Sequence, residues 1–275
     1  MKFDLHTHTT ASDGTDTPAQ LIERAARLGF ELIAVTDHDT VSGLAEAKEA
    51  GERLGVRVIP GVEISAGENP EVHVLGYGMR DLPRLEQRLG DMRLARRDRM
   101  YQMIERLRAA GIEVDEARVF ALAGESPGRP HLARVLVEMG RARDVRDAFY
   151  KYLLPGRAGY VPRQKLTVPE AIHLLRECGA APVIAHPGQN KGAAFWLSDR
   201  LAAMKQEGLM GLEVYHMAHT QAECQAFDRI ARKLGLLVTG GSDYHGSVKQ
   251  IELGDGMTYW QTKDQDLAAF LQKVQ

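Results

Sequence analysis

The chain has 275 residues, of which 44% are hydrophobic and 26% are charged, and its formal net charge is −2 at pH 7. This composition is typical of a globular protein with one large domain, or one domain with an insertion, and the charge gives no support for bulk attraction to nucleic acid. The two cysteines form no CxxC pattern, no apolar leader opens the sequence and no apolar run reaches about 18 residues, so we expect a cytoplasmic protein with reduced cysteines and no membrane partner.

Seven short apolar segments, taken in chain order, predict β-strands. They are FDLHTH (3–8), LIAVTDH (32–38), VRVIPGVEIS (56–65), HVLGYG (73–78), APVIAHP (181–187), GLEVYH (211–216) and GLLVTGGSDYH (235–245). Amphipathic patterns over 18–29, 40–54 and 219–234 predict helices, and GMTYWQT (256–262) predicts a last strand before a closing helix, 264–274. Strand–helix alternation indicates a parallel sheet, either open or closed into a barrel.

The middle of the chain, from 82 to 169, has almost no strand pattern. Apolar residues recur there at helical spacing, among them Leu85, Leu89, Met103 and Leu107, and HLARVLVEMG and VRDAFYKYLL predict further helices. We therefore predict an α/β body formed by residues 1–81 and 170–275, interrupted by a helical insertion at 82–169.

Histidines and carboxylates follow the predicted strands at the points where these end. They include His8, Asp13, His38, Glu63, His186, Glu213, His216, Asp243 and His245. Because the carboxyl ends of parallel strands meet at one rim, we expect these side chains to converge. Imidazole and carboxylate without thiolate are ligands for Mn²⁺, Fe²⁺ or Zn²⁺, so the pattern predicts a multinuclear metal site.

Two further positions, His6 and His73, support the metal site. His6 and His8 share one face of the first strand, so both can bind one ion, and Asp13 can curl back from the next turn to bind a neighbouring ion. His73 begins its strand, but only nine residues separate it from Glu63. If the two strands pair as a hairpin, His73 lies beside Glu63 at the same rim.

Seven motifs identify a known family by resemblance. DLHTHTTASDG, AVTDHDT, PGVEIS, VHVLGYG, VIAHPG, LEVYH and GGSDYHG, in that order, resemble the polymerase-and-histidinol-phosphatase (PHP) family of the amidohydrolase superfamily. The resemblance covers nearly the whole chain outside the insertion. It implies a distorted (β/α)₇ barrel, similar to a TIM barrel, with divalent ions at its carboxyl rim and the helical insertion as a substrate cap.

The resemblance also implies which residues bind which ion. It assigns His6, His8, Glu63 and Asp243 to one ion, Glu63 as a bridge with His73 and His186 to a second, and Asp13, His38 and His245 to a third. His131 is an alternative to His73 as a ligand of the second ion, and the predicted hairpin favours His73. Some relatives carry His in place of Asp13. The carboxylate of Asp13 is the harder ligand, and it favours Mn²⁺ over Zn²⁺, with Fe²⁺ and Mg²⁺ as further options. We expect two to three ions per chain.

Clustered divalent ions suit phosphoester hydrolysis, because they generate hydroxide at neutral pH and clamp the attacking and leaving oxygens. The sequence has no GxSxG motif that follows a predicted strand, as a nucleophile elbow requires, so we expect direct attack by a metal-bound hydroxide and not a covalent serine mechanism. The sequence does not identify the general acid, and His216 is the candidate that we expect at the site.

The insertion contains a predicted phosphate-binding helix start, GRPHLAR (128–134). Pro130 suits the first helical turn, where free N–H groups and the helix dipole bind anions. Arg129, His131 and Arg134 add cationic side chains, so we predict that they hold a phosphate that is bound but not cleaved. The alternative is a basic helix start that contacts only water or carboxylates of the insertion.

A stand-alone chain with this insertion resembles the PHP branch that removes the 3′-phosphate from 3′,5′-nucleoside bisphosphates, such as adenosine 3′,5′-bisphosphate, with AMP and phosphate as products. Three alternatives stay open: a 5′-3′ exoribonuclease on short oligonucleotides, a histidinol-phosphate phosphatase, which needs only one phosphate site, and a non-catalytic PHP binding module. Activity on a panel of substrates distinguishes the three enzymes from one another. Measuring the metal content and any phosphatase turnover tests whether the chain is a non-catalytic module.

Overall fold

The computed structural model of the chain describes residues 1–67, 72–123, 127–162, 165–191, 196, 198–256 and 264–274. It confirms the seven strands that the apolar segments predicted. They are β1 (Phe3–Thr7), β2 (Leu32–Val35), β3 (Arg57–Ala66), β4 (Val72–Tyr77), β5 (Ala181–Ile184), β6 (Gly211–His216) and β7 (Leu237–Gly241). The further strand predicted at 256–262 lies outside the described residues, apart from Gly256.

The strands form one sheet in chain order from β1 to β7. Neighbouring strands are parallel, except that β4 runs antiparallel to both β3 and β5. The β3–β4 hairpin predicted from the short connection is therefore confirmed, and it pairs Ser65 with His73. Glu63 pairs with Leu75 in the same register. His73 therefore lies two residues along β4 from the residue opposite Glu63, within reach of the Glu63 side chain.

The sheet closes almost completely, because β1 lies beside the segment that follows β7. The His8 N–H donates to the Tyr244 carbonyl at 2.8 Å, and the Asp243 N–H donates to the His6 carbonyl at 2.9 Å. Gly241 permits this approach, since a Cβ there would lie 2.5 Å from the His6 nitrogen. The architecture is the predicted distorted (β/α)₇ barrel, and its closure draws residues from both ends of the chain together.

Helices follow most of the strands. They are α1 (Pro18–Arg27), α2 (Leu44–Leu54), α3 (Leu82–Ala109), α4 (Glu116–Ala123), α5 (Arg129–Glu138), α6 (Val145–Ala148), α7 (Val168–Glu177), α8 (Pro187–Lys191), α9 (Ser198–Gln206), α10 (Gln221–Leu234) and α11 (Asp264–Val274). Capping boxes fix the starts of three of them, where Thr17, Thr167 and Thr220 each accept a backbone N–H from three residues ahead. Within the described segments, no helix is long and apolar enough to span a bilayer.

The chain divides into two compact units, one formed by Met1–Gln87 with Lys165–Gln275 and the other by Arg88–Gln164. The first unit contains the barrel, with fully buried apolar side chains such as Leu5 on its strands. The second unit is helical and has an apolar core of its own, to which α3, α4 and α5 contribute buried side chains. The insertion predicted at 82–169 extends a few residues beyond this second unit at each end.

Candidate metal centre

The structure brings together the nine side chains that the sequence predicted as metal ligands. They come from β1 and the loop after it (His6, His8, Asp13), the loop after β2 (His38), the β3–β4 hairpin (Glu63, His73) and the loops after β5 and β7 (His186, Asp243, His245). Six of them are buried, whereas His38 and His73 are half-buried and Asp13 is exposed. The result is a buried polar cluster that opens to solvent on one side.

In the first predicted group, the side-chain atoms converge on one point. His6 Nε2 and His8 Nε2 are 3.1 Å apart, and they lie 3.3 and 3.2 Å from Glu63 Oε2 and 3.6 and 3.3 Å from Asp243 Oδ1, respectively. Ligand atoms about 2.1 Å from one ion lie roughly 3.0–3.4 Å from each other when their directions range from perpendicular to tetrahedral. The spacing of these four side chains therefore fits a single divalent ion.

Glu63 is fully buried, and its two oxygens face different neighbours. Oε1 lies 2.9 Å from both His73 Nδ1 and His186 Nε2, whereas Oε2 lies 3.1 Å from His38 Nδ1. Burial alone would raise the pKa of Glu63, but the charges of the surrounding histidines, His38 first, lower it well below its usual value. An ionised carboxylate with one oxygen toward each ligand group suits the predicted bridging position.

The third predicted group, Asp13, His38 and His245, also comes together. His245 Nε2 is 3.2 Å from Asp13 Oδ1, and His38 Nε2 is 3.9 Å from Asp13 Oδ2. His8 reaches this group as well, with its Nδ1 3.7 Å from Asp13 Oδ1. Sequence reasoning placed His8 in the first group alone, because strand alternation shows which face a ring lies on but not how its two nitrogens are directed.

Several buried atoms of the cluster have no hydrogen-bond partner among the described residues. They are His8 Nδ1, His38 Nδ1, Glu63 Oε2 and His186 Nδ1. Each unsatisfied atom of this kind costs about 1–3 kcal/mol, so bound cations would stabilise the cluster. Imidazole and carboxylate without thiolate suit Mn²⁺, Fe²⁺ or Zn²⁺. The residues present therefore fit a multinuclear metal site.

The carboxylates of the cluster favour positive charge on the imidazoles beside them. Burial alone would lower the pKa of His8, but the neighbouring carboxylates of Asp243 and Glu63 raise it to about 9. The pKa of His6 is raised as well, since the charges of Glu213 and Glu63 outweigh its burial. The cluster thus needs positive charge among its carboxylates, which is the electrostatic requirement of a cation site.

Glu213 and Lys249, which the predicted ligand set does not include, contact predicted ligands. Glu213 Oε1 lies 3.0 Å from His6 Nδ1, and Lys249 Nζ lies 2.7 Å from Asp243 Oδ2. Glu213 lies within β6, and the sequence pattern had already placed it among the carboxylates expected to converge at the rim. Lys249 follows a short turn after β7, and nothing in its neighbourhood in the sequence indicates the contact.

His216, the candidate catalytic residue, lies at the cluster and is buried. Its Nδ1 accepts the Ala218 N–H at 3.0 Å, so we assign the ring proton to Nε2, which lies 4.0 Å from Asp243 Oδ2 and has no hydrogen-bond partner. Burial lowers the pKa of the ring to about 3. At neutral pH His216 is therefore an uncharged donor at the edge of the metal ligands.

In the second unit, α5 begins at Arg129, where the sequence predicted a helix start. His131 Nδ1 accepts the Gly128 N–H at 3.1 Å, which leaves the ring proton on Nε2, and burial and the charge of Arg134 lower the pKa of the ring. The Arg129 guanidinium lies 5.6 Å from the centre of the Phe149 ring, and Arg134 is exposed. Phosphate binding by these three side chains stays a prediction.

A nearly closed barrel with clustered imidazole and carboxylate groups at one rim is typical of metal-dependent hydrolases. Comparison with known proteins narrows this class to metal-dependent phosphoesterases. The family model of the PHP domain matches residues 4–153. The chain belongs to the PHP family, and the resemblance seen in its seven motifs is confirmed.

Curated relatives that match most of the chain have three different named activities. A 5′-3′ exoribonuclease of Escherichia coli is 38% identical over 92% of this chain and 88% of its own length. A 3′,5′-nucleoside bisphosphate phosphatase of Chromobacterium violaceum is 37% identical, over 88% and 87%. A phosphoribosyl 1,2-cyclic phosphate 1,2-diphosphodiesterase of Eggerthella lenta is 36% identical, over 91% and 97%. All three names describe phosphoester hydrolysis, and they differ in the substrate.

Solved structures agree with the fold and the class. An amidohydrolase from Chromobacterium violaceum, with bound sulfate and no metal, has a TM-score of 0.74 and 35% identity, over 91% of this chain and 90% of that chain. A Bifidobacterium adolescentis protein assigned as a metal-dependent phosphoesterase has a TM-score of 0.75 and 33% identity, over 96% of both chains.

Proposed function

We propose that the chain hydrolyses the 3′-phosphate of 3′,5′-nucleoside bisphosphates to give nucleoside 5′-monophosphates and phosphate. The observation that carries this proposal is the start of α5, where Arg129, His131 and Arg134 lie on consecutive turns of one helix end. A substrate with two phosphates needs a cationic site for the phosphate that is not cleaved, in addition to the ions that take the other one. The relative named as a bisphosphate phosphatase supports the same substrate class.

The reaction would depend on two to three divalent ions, of which we propose Mn²⁺, because Asp13 adds a hard oxygen ligand to an imidazole-rich set. When bound, the ions supply hydroxide at neutral pH and stabilise the charge of the phosphoryl oxygens. The chain contributes the nine ligands and keeps most of them away from bulk water. Glu63 holds two ligand groups at a fixed separation, and this fixes where a phosphoryl group can sit between them.

His216 is the side chain that we propose to orient the reacting phosphoryl group. Its ring is uncharged near neutral pH and its Nε2–H is directed toward the cluster, 4.0 Å from Asp243 Oδ2. A neutral imidazole donates a hydrogen bond but is a weak proton donor, so its role would be orientation and not general acid catalysis.

A second candidate function is 5′-3′ exoribonuclease activity on short oligonucleotides, which the E. coli relative favours. The two reactions share one chemical demand. Each would cleave the bond between phosphorus and the 3′-oxygen of a nucleotide whose 5′-phosphate is bound but not cleaved. They differ in whether the scissile phosphate carries a second ester. The same metal centre and helix start would serve both, so the preferred substrate depends on the space around that second ester.

The role of the helix start is tested by Arg134→Ala. We expect this variant to lose about 10- to 150-fold in kcat/KM on a 3′,5′-bisphosphate, because a charge-assisted hydrogen bond to phosphate contributes roughly 1.5–3 kcal/mol. A nucleoside 3′-monophosphate has no second phosphate, so its hydrolysis should change little. The measurement is the ratio of the two kcat/KM values, with bound metal determined in parallel.

The matched control is Arg118→Ala, which removes another exposed arginine of the same unit, one that pairs with Glu138. This variant should leave the ratio at its wild-type value. Equal losses on both substrates in Arg134→Ala would show that Arg134 supports the fold or the reacting phosphate, and the proposed role of the helix start would then be wrong.

A further inference from the structure

Glu213, in β6, is fully buried between two predicted metal ligands. Its Oε1 lies 3.0 Å from His6 Nδ1, and its Oε2 accepts the backbone N–H of His186 at 2.7 Å. His6 belongs to the first ligand group and His186 to the second. One carboxylate therefore contacts a member of each group without belonging to either.

The contact with His6 determines which ring nitrogen can bind an ion. Because the Nδ1–H of His6 donates its hydrogen bond to Glu213, the lone pair of the neutral ring lies on Nε2. Nε2 is the atom that lies 3.1 Å from His8 Nε2 and 3.3 Å from Glu63 Oε2. The opposite tautomer would direct an N–H into the ligand group, and His6 could not serve as a ligand.

The contact with His186 acts on the backbone. His186 has a φ of 24°, a conformation that residues other than glycine rarely adopt. The hydrogen bond from its N–H to Glu213 holds this conformation, in which His186 Nε2 reaches Glu63 Oε1 at 2.9 Å.

Asp37 makes the corresponding contacts beside the third group. Its Oδ1 accepts the Thr9 N–H at 2.7 Å and the Ser12 hydroxyl at 2.6 Å, and its Oδ2 accepts the Thr9 hydroxyl at 2.8 Å. These bonds hold the turn that carries Asp13. Asp37 contacts neither His6 nor His186 in the hydrogen bonds of the described residues, so the two carboxylates support different parts of the cluster.

We propose that Glu213 is a positioning residue that sets the metal affinity of the first and second ligand groups together, while the third group depends on Asp37. The proposal rests on the metal binding proposed above, but it does not depend on the choice of substrate. Partners of this kind typically change metal affinity by about 10–100-fold.

The test titrates chelator-treated protein with Mn²⁺ and counts free Mn²⁺ by electron paramagnetic resonance, with no substrate present. Glu213→Gln keeps the volume and one acceptor oxygen but offers an amide N–H to the second donor. We expect it to weaken the ions of the first and second groups by about 10–100-fold and to leave the ion of the third group at wild-type affinity. Asp37→Asn should weaken the ion that Glu213→Gln spares, and the double variant should retain no ion at wild-type affinity.

Folding is controlled by circular dichroism of each metal-free variant, with titrations made well below its unfolding midpoint. Glu213→Asp, which keeps the charge but withdraws the oxygens by one methylene, should weaken the same ions as Glu213→Gln. The proposal is overturned if both Glu213 variants bind every ion with wild-type affinity, or if Glu213→Gln and Asp37→Asn weaken the same ions. Because no turnover is measured, the result does not depend on which phosphoester the enzyme cleaves.

Discussion

Glu63→Gln should remove nearly all turnover, with a loss of roughly 10²- to 10⁴-fold in kcat. The estimate follows from the several kcal/mol of transition-state charge stabilisation that a bound metal ion supplies, taken here as about 3–5 kcal/mol, at about 1.4 kcal/mol per tenfold. The amide keeps the size of the side chain, but it replaces one of two oxygens that face different ligand groups, at 2.9 Å from His73 and His186 and at 3.1 Å from His38. Two ions should therefore be weakened at once.

Turnover and bound Mn²⁺ per chain are the two measurements for this variant. The matched control is Glu52→Gln, a change of the same chemistry at an exposed position of α2, which should behave as the wild type. Wild-type turnover with a full complement of ions in Glu63→Gln would rule out the bridging position. Loss of turnover with all ions retained would assign Glu63 a role in the reaction and not in binding.

Removal of the metal should abolish activity and also lower the stability of the fold. An ion present at 100 times its dissociation constant stabilises the native state by about 2.7 kcal/mol. For a chain of this size, that corresponds to a fall of roughly 5–10 °C in the unfolding midpoint for each ion removed. The physical reason lies in the cluster, where Glu63 Oε2 and three histidine nitrogens are buried without hydrogen-bond partners.

The metal-removal experiment compares dialysed protein before and after chelation, by scanning calorimetry and by phosphate release. Adding back Mn²⁺ should restore both the midpoint and the turnover, which distinguishes loss of metal from irreversible damage. An unchanged midpoint after complete chelation would show that the buried cluster does not need cations, contrary to its unsatisfied atoms.

Local sequence patterns predicted the seven strands and most of the cluster, and the resemblance to the PHP family supplied the (β/α)₇ barrel and the grouping of the ligands. Apolar runs of four to six residues mark buried strands in the structure, as in β2 and β5. The nine-residue interval between Glu63 and His73 was short enough to require a hairpin. Strand ends gave the remaining ligands, since parallel strands direct those ends to one rim. The helix predicted over 40–54 begins later, at Leu44.

Other features depend on distances that no local pattern contains. Glu213 and His6 are 207 positions apart, and they meet only because the barrel closes and brings β6 near β1. Lys249 reaches Asp243 from a loop without a regular pattern. The two nitrogens of His8 face different groups because of its side-chain rotation, which the sequence does not express.

We propose that this PHP phosphoesterase acts on a nucleotide with two phosphates and releases the 3′-phosphate. The most direct test measures kcat/KM of the Mn²⁺-loaded protein on adenosine 3′,5′-bisphosphate, a 5′-phosphorylated short oligoribonucleotide and histidinol phosphate under one set of conditions. We predict release of phosphate and AMP from the bisphosphate, at a kcat/KM at least about tenfold above that of the other two, equivalent to about 1.4 kcal/mol of transition-state binding. Faster release of nucleoside 5′-monophosphates from the oligoribonucleotide, or faster hydrolysis of histidinol phosphate, would contradict the claim.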